Sequence, residues 1–237
     1  GPLLNVDEAK PYAFTADIHA GQTHVTADGS ITHPFHLDRY GAALSLSGPD
    51  LSQLYYLTGL ALPGTPAYHL KGNLRREGTQ YRFTAISGMV GASDLSGDLA
   101  VDAAGKLPAL SGRLASRRLS FEDLGALFGG GKTAPAAASK YLLPDLALHT
   151  ERLRRMNAEV DYSALAVASR DFPLRGFGAH ISLEGGVLDL KPLAFQFPQG
   201  KLAGEIKIDA RKDVPVSSID ARFSDIHIED FIKSGDK

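Results

Sequence analysis

Apolar and polar residues alternate with a period of two along most of this chain, which places successive side chains on opposite faces of extended strands. Tyr12, Phe14, Ala16 and Ile18 alternate with Ala13, Thr15, Asp17 and His19. The pattern returns at Tyr68, Leu70, Gly72 and Leu74 against His69, Lys71 and Asn73, and at Leu95, Gly97, Leu99 and Val101 against Ser96, Asp98, Ala100 and Asp102. Later, Ile181/Leu183, Leu188/Leu190, Phe195/Phe197 and Ile206/Ile208 face one way, while Ser182, Asp189, Gln196 and Lys207 face the other. Asp28-Gly29, Glu77-Gly78, Glu184-Gly185-Gly186 and Pro198-Gln199-Gly200 punctuate the runs as turns. The pattern predicts a mainly β chain of roughly a dozen antiparallel strands.

Helix signals are few and short. Pro49 to Leu57 and Ser120 to Phe128 each open on Asp or Ser where an N-cap belongs, Glu229 to Ile232 gives a third, and Arg152 to Arg155 adds a turn. The segments Tyr12 to Ala16, Tyr81 to Ala85 and Leu193 to Phe197 repeat one motif that leads to a glycine, which suggests stacked hairpin units. Residues 129–139, rich in Gly, Ala and Pro, predict a flexible loop between a first β block over 3–128 and a second over 140–237, together one continuous β domain. Gly1-Pro2 reads as a protease-cleavage scar and predicts a piece of a longer protein.

A sheet of that width with one apolar face needs a cover, and helices of about two turns are too small to make a second layer. A closed barrel, a two-sheet sandwich or a curved trough filled by an apolar ligand would each supply one. Alternation does not choose among them. In the trough, a groove or half-pipe of stacked hairpins, the shared phase assigns Phe14, Ile18, Phe83, Leu99, Leu190, Phe195, Phe197, Ile206 and Ile208 to one apolar floor.

A series of motifs is more specific. Leu62-Pro63-Gly64-Thr65-Pro66 is followed by Tyr68, Leu70, Gly72, Gly78, Tyr81 and Gly88, then by Val90-Gly91-Ala92-Ser93-Asp94-Leu95-Ser96-Gly97. Leu114-Ala115-Ser116, Glu122-Asp123-Leu124, Leu143-Pro144 and a late set from Leu183 to Ile208-Asp209 complete it. In spacing and order this resembles the AsmA family over about residues 12 to 231. Asn157-Ala158-Glu159-Val160 stands where the family pattern has Asp-Ala-Asp-Val, yet residues 158, 160 and 162 keep the strand phase.

The resemblance implies a protein held in the inner membrane of a Gram-negative envelope by a helix outside this sequence, with its bulk in the periplasm. Family members are similar to bridge-like lipid-transfer proteins, whose elongated β-grooves have hydrophobic floors. The expected partner is a phospholipid or other acyl-chain ligand, and the expected role is support of phospholipid transport and outer-membrane biogenesis without catalysis or a cofactor. The alternative is a scaffold that docks assembly partners through sheet edges or loops.

Composition removes other classes. The 237 residues are 43% hydrophobic, enough for a sizeable core, and 25 basic against 27 acidic residues provide no bulk positive field for nucleic acid. There is no cysteine, hence no disulfide, thiolate metal site or Cys nucleophile, and the lack of tryptophan weakens a sugar-stacking reading. No window approaches a transmembrane length of apolar residues, so the chain as it stands is expected to be soluble.

The candidate catalytic and metal motifs fail on spacing. Gly131-Lys132-Thr133 lacks the glycine a phosphate loop needs, because Ala126 stands there. His19, His24, His33 and His36 share one N-terminal hairpin and two of them can meet across strands. With no Cys or paired carboxylate to complete a set, they predict solvated histidines and no metal. Asp94, in a turn-like Gly-Ala-Ser-Asp, and Asp123, in a helix first turn, predict structural carboxylates. No Gly-x-Ser-x-Gly or His-Glu-x-x-His occurs.

Overall fold

Among the described residues each strand lies beside its neighbours in sequence, and together they form one twelve-stranded open sheet in the order β1 to β12. The computed structural model describes residues 10–32, 37–123, 150–169, 174–198, 200–212 and 214–224. The strands are β1 (Tyr12–Ala20), β2 (Thr23–Thr32), β3 (Arg39–Gly48), β4 (Tyr68–Glu77), β5 (Gln80–Val90) and β6 (Ser93–Asp102), then β7 (Ala109–Ser120), β8 (Asn157–Ala168), β9 (Gly176–Glu184), β10 (Val187–Phe197), β11 (Gly200–Asp209) and β12 (Val216–Ser224). Tight turns preserve the alternation phase from strand to strand. Between β1 and β2 the turn is Gly21-Gln22, with Gly21 at φ +62°, the conformation that a II′ hairpin demands at its first central position. The closed-barrel and sandwich alternatives are thereby set aside in favour of an open curled sheet.

Two expectations need correction. The strands are not all antiparallel, because β7 and β8 run parallel, from Ala109 opposite Asn157 to Ser120 opposite Ala168. The segment between them, residues 121–156, is long enough to return the chain to the starting end of β7, whereas the two-residue turns at 21–22, 78–79, 91–92 and 185–186 force reversal. Asp28-Gly29 is not a turn but the middle of β2, with Gly29 opposite Phe14 and Ala42. A Cβ on Gly29 would stand 2.1 Å from the Gly41 carbonyl oxygen, so glycine here serves close strand approach.

The helical segments are short. The predicted helix over 49–57 is a 3₁₀ turn (Leu51–Leu54) running into α1 (Tyr55–Thr58). Asp50 caps it as predicted, accepting a 2.8 Å hydrogen bond from the Ser52 N–H, and Gly59 ends it at φ +72°. The turn near Arg152 is α2 (Thr150–Leu153). Of the segment beginning at Ser120, residues 121–123 are helical; the rest, the 129–139 loop, His33, His36 and the segment at Glu229 lie outside the described residues. Among the described residues no helix is long and apolar enough to cross a membrane.

The buried core lies on one face of the sheet and is gathered in patches. Leu110, Met156, Val160 and Leu183 form one cluster, against which Leu60, Ala61 and Leu62 pack. Leu54, Tyr68 and Leu70 form a second with Leu51 and Leu62, so the β3–β4 connection crosses the apolar face and touches both. Leu119, Ala164 and Val167 form a third beside Tyr162, Phe177 and Phe195.

Candidate functional site, an apolar face across twelve strands

The pairing register carries one unbroken row of facing residues across the whole sheet. It runs Phe14, Gly29, Ala42, Leu74, Phe83, Leu99, Gly112, Val160, Ile181, Leu190, Ile206, Ile219, each directly opposite the next. None is polar. Strand spacing of about 4.8 Å makes this row roughly 50 Å long. One residue over, the other face reads Thr15, Asp28, Ala43 and Asn73 on β1 to β4, and Asp98, Arg113, Asp161 and His180 on β6 to β9.

All nine residues assigned to a floor from alternation fall on this face. Phe14, Phe83, Leu99, Leu190 and Ile206 stand in the row itself. Ile18 faces Val25, Phe195 faces Phe177 and Leu202, Phe197 faces Gly200, and Ile208 faces Leu188. Register shifts at Lys71/Asn73, Phe83/Ile86 and Leu190/Leu193 absorb irregular residues, including Pro192, without flipping the face.

Cover over the face is uneven. In the middle it is sealed: Val160 and Leu183 are 6% and 4% exposed beneath the 60–62 segment. Arg152 fixes that cover, its guanidinium 4.5 Å from the Tyr55 ring centre and 5.5 Å from that of Tyr56, with a 3.3 Å hydrogen bond to the Ser52 carbonyl. The Ala61 N–H donates to the Met156 sulfur at 2.9 Å. Away from that patch the cover thins, with Phe83 and Leu99 half-buried, and it stays thin toward both edges. Phe14, Leu190, Phe195, Phe197 and Ile206 are half-buried, Ile18 and Ile219 are 46% and 48% exposed, and Ile208 is buried. Sequence reasoning missed the cover, whose signal is Leu60-Ala61-Leu62, an apolar run without strand period.

Aromatic side chains continue the face: Tyr162, Phe177 and Phe195 stand at centroid distances of 5.7 and 4.8 Å. Tyr162 shares a 2.7 Å hydrogen bond with the Ser116 hydroxyl, and burial pushes its phenol pKa up, so it stays neutral. Two open hollows of about 860 and 670 Å³ are lined by residues of both faces, Ala16 and Leu44 with Asp28 and Lys71 in the first, Leu114 and Tyr162 with Arg113 and His180 in the second.

The carboxylates weighed as a catalytic pair are each engaged with backbone. Asp94 is in β6, not in a turn, and accepts the N–H groups of Arg117 and Arg118 on β7 at 3.0 and 2.7 Å. Burial raises its pKa, but those bonds, from Arg118 first, outweigh it and hold the carboxyl below the usual range. Asp123 accepts the Ala92 N–H at 2.9 Å and the Ser93 hydroxyl at 2.5 Å, which ties the β5–β6 turn to the end of β7. Of the N-terminal histidines, His19 and His24 face each other across strands on the polar side, beside Asp17.

No solved structure matches the chain. AsmA family protein YhjG of Escherichia coli (strain K12) is 28% identical over 233 residues, an alignment covering 90% of this chain and 34% of that protein. This chain therefore spans about a third of the relative's length. The family model for the AsmA family matches residues 1–235, and the chain belongs to that family.

Proposed function

We propose that this chain is a periplasmic lipid-handling module of an inner-membrane-anchored protein, and that its apolar face holds phospholipid acyl chains during transport between membranes in outer-membrane biogenesis. The observation that carries the reading is the apolar row across all twelve strands, with half-buried Phe14, Leu190 and Ile206 toward its two ends. An acyl chain laid on such a surface gains about 0.8 kcal/mol per buried CH₂ without any directional contact. The opposite face, with its Asp, Arg and His residues, stays in water. No catalytic step, cofactor or nucleic acid enters this reading.

The sealed centre favours a second reading, a scaffold with a closed core that docks assembly partners. Organic extraction and native mass spectrometry of the purified chain separate the two. Bound phospholipid supports the lipid-handling module. A lipid-free chain that takes up none from vesicles supports the scaffold.

A further inference from the structure

At the tip of the first hairpin, three potential metal ligands converge on the polar side of the sheet. Ala20 and Thr23 pair next to the Gly21-Gln22 turn, which makes His19 and His24 the following facing pair. In a two-residue hairpin that pair lacks mutual backbone hydrogen bonds, the position at which facing side chains come closest. The imidazoles are stacked, with centroids 4.2 Å apart and planes 3° from parallel. Asp17 is two residues before His19 and therefore on the same side. Its Oδ1 stands 3.3 Å from Nε2 of His19 and 2.8 Å from Nε2 of His24. Each residue offers a ligand atom, and the three atoms lie within 4.8 Å of one another.

We propose that Asp17, His19 and His24 bind one divalent transition-metal ion of the zinc class, with water completing its coordination. Metal–ligand bonds of about 2.0–2.2 Å in a tetrahedron set neighbouring donor atoms about 3.4 Å apart. The two separations from Asp17 fall about 0.1 and 0.6 Å short of that value, so the ion is admitted once the donors spread slightly and the two exposed imidazoles turn out of their stack to aim both Nε2 atoms at it. Two imidazoles with one carboxylate favour zinc, nickel or copper over magnesium or calcium. The side chains of Asp17, His19 and His24 are 65%, 70% and 40% exposed, which leaves open positions for water and keeps the site accessible. The ion would pin β1 to β2 beside the turn. Alternation showed only that His19 is polar-side; Asp17 enters the set through the i to i+2 spacing that alternation itself provides.

The test is calorimetric titration of zinc chloride into the tag-free, chelator-stripped chain, alongside His19→Asn, His24→Asn and Asp17→Asn. His69→Asn, an exposed histidine on β4, serves as control. One saturable site per chain is expected, with affinity falling at least about tenfold in each of the three variants and unchanged in the control. Zinc should raise the melting temperature of the wild type but not of His24→Asn. Wild-type binding weaker than roughly 100 µM, or binding that survives His19→Asn and His24→Asn undiminished, overturns the site. Because all three side chains are exposed, circular dichroism should show every variant folded.

Discussion

Replacing Ile206 with glutamate distinguishes an open face from a sealed one. Ile206 lies opposite Leu190 and Ile219 and is half-buried, while Ile219 beside it is 48% exposed. Full burial of an isoleucine is worth about 1.5–3 kcal/mol, so the half-buried side chain forfeits about 1–2 kcal/mol, and the new carboxylate still reaches water. The matched change in the sealed centre is Leu183→Glu, at a position 4% exposed. There the full burial of a leucine, about 1.5–3 kcal/mol, is forfeited, and an unpaired buried carboxylate adds several more. Together these approach the whole stability of a domain, about 5–15 kcal/mol. In urea denaturation, Ile206→Glu should remain folded with a modestly lower midpoint, and Leu183→Glu should unfold or fail to express. The folded Ile206→Glu chain should also lose phospholipid uptake. If Ile206→Glu is as destructive as Leu183→Glu, the face is sealed throughout and the open-face argument is refuted.

Other expectations address the supports of the face. Asp50→Ala removes the acceptor for the Ser52 and Thr65 N–H groups and should cost about 1–2 kcal/mol in denaturant melts; no change would show that the cap does not hold the cover. Gly112 in β7 has φ +153°, and a Cβ there would stand 2.2 Å from the Asp98 carbonyl oxygen, so Gly112→Ala should destabilise by about 1–3 kcal/mol or more. A neutral result would mean the strand relaxes freely. His180 is hydrogen-bonded to Asp161 at 2.7 Å and also lies 2.7 Å from Glu159, and these contacts, Asp161 first, raise its pKa above the ordinary 6.5. A raised folded value means stabilisation that is fully present below pH 6.5 and lost as pH rises through the folded pKa. NMR titration should give a His180 midpoint above 6.5 that falls toward it in Asp161→Asn; an unshifted wild-type midpoint would contradict the pairing.

Much of the face was legible because a period of two, broken only at the three register shifts, survives every tight turn. Once Tyr12, Phe14 and Ile18 share a side, hairpin register places their partners there as well. Glu77-Gly78 and Glu184-Gly185-Gly186 mark real turns, whereas Asp28-Gly29 has the same composition and sits inside β2. The distinction lies in backbone approach to Gly41, a tertiary fact with no local signal. The parallel β7–β8 pair was equally hidden, because connection length permits a return crossing but does not require one. The cover was overlooked because Leu60, Ala61 and Leu62 bury themselves by crossing other strands, not by repeating along their own.

The central claim, that acyl chains lie on the apolar row, is tested most directly by site-resolved photo-crosslinking to phospholipid vesicles. A photoreactive phenylalanine analogue is placed at Ile206 or Phe14 on the row, and at Lys207 or Thr15 one residue over. The account predicts phospholipid adducts from Ile206 and Phe14 and none from Lys207 and Thr15. Adducts from both sets alike, or from neither while all four proteins are folded, would contradict it.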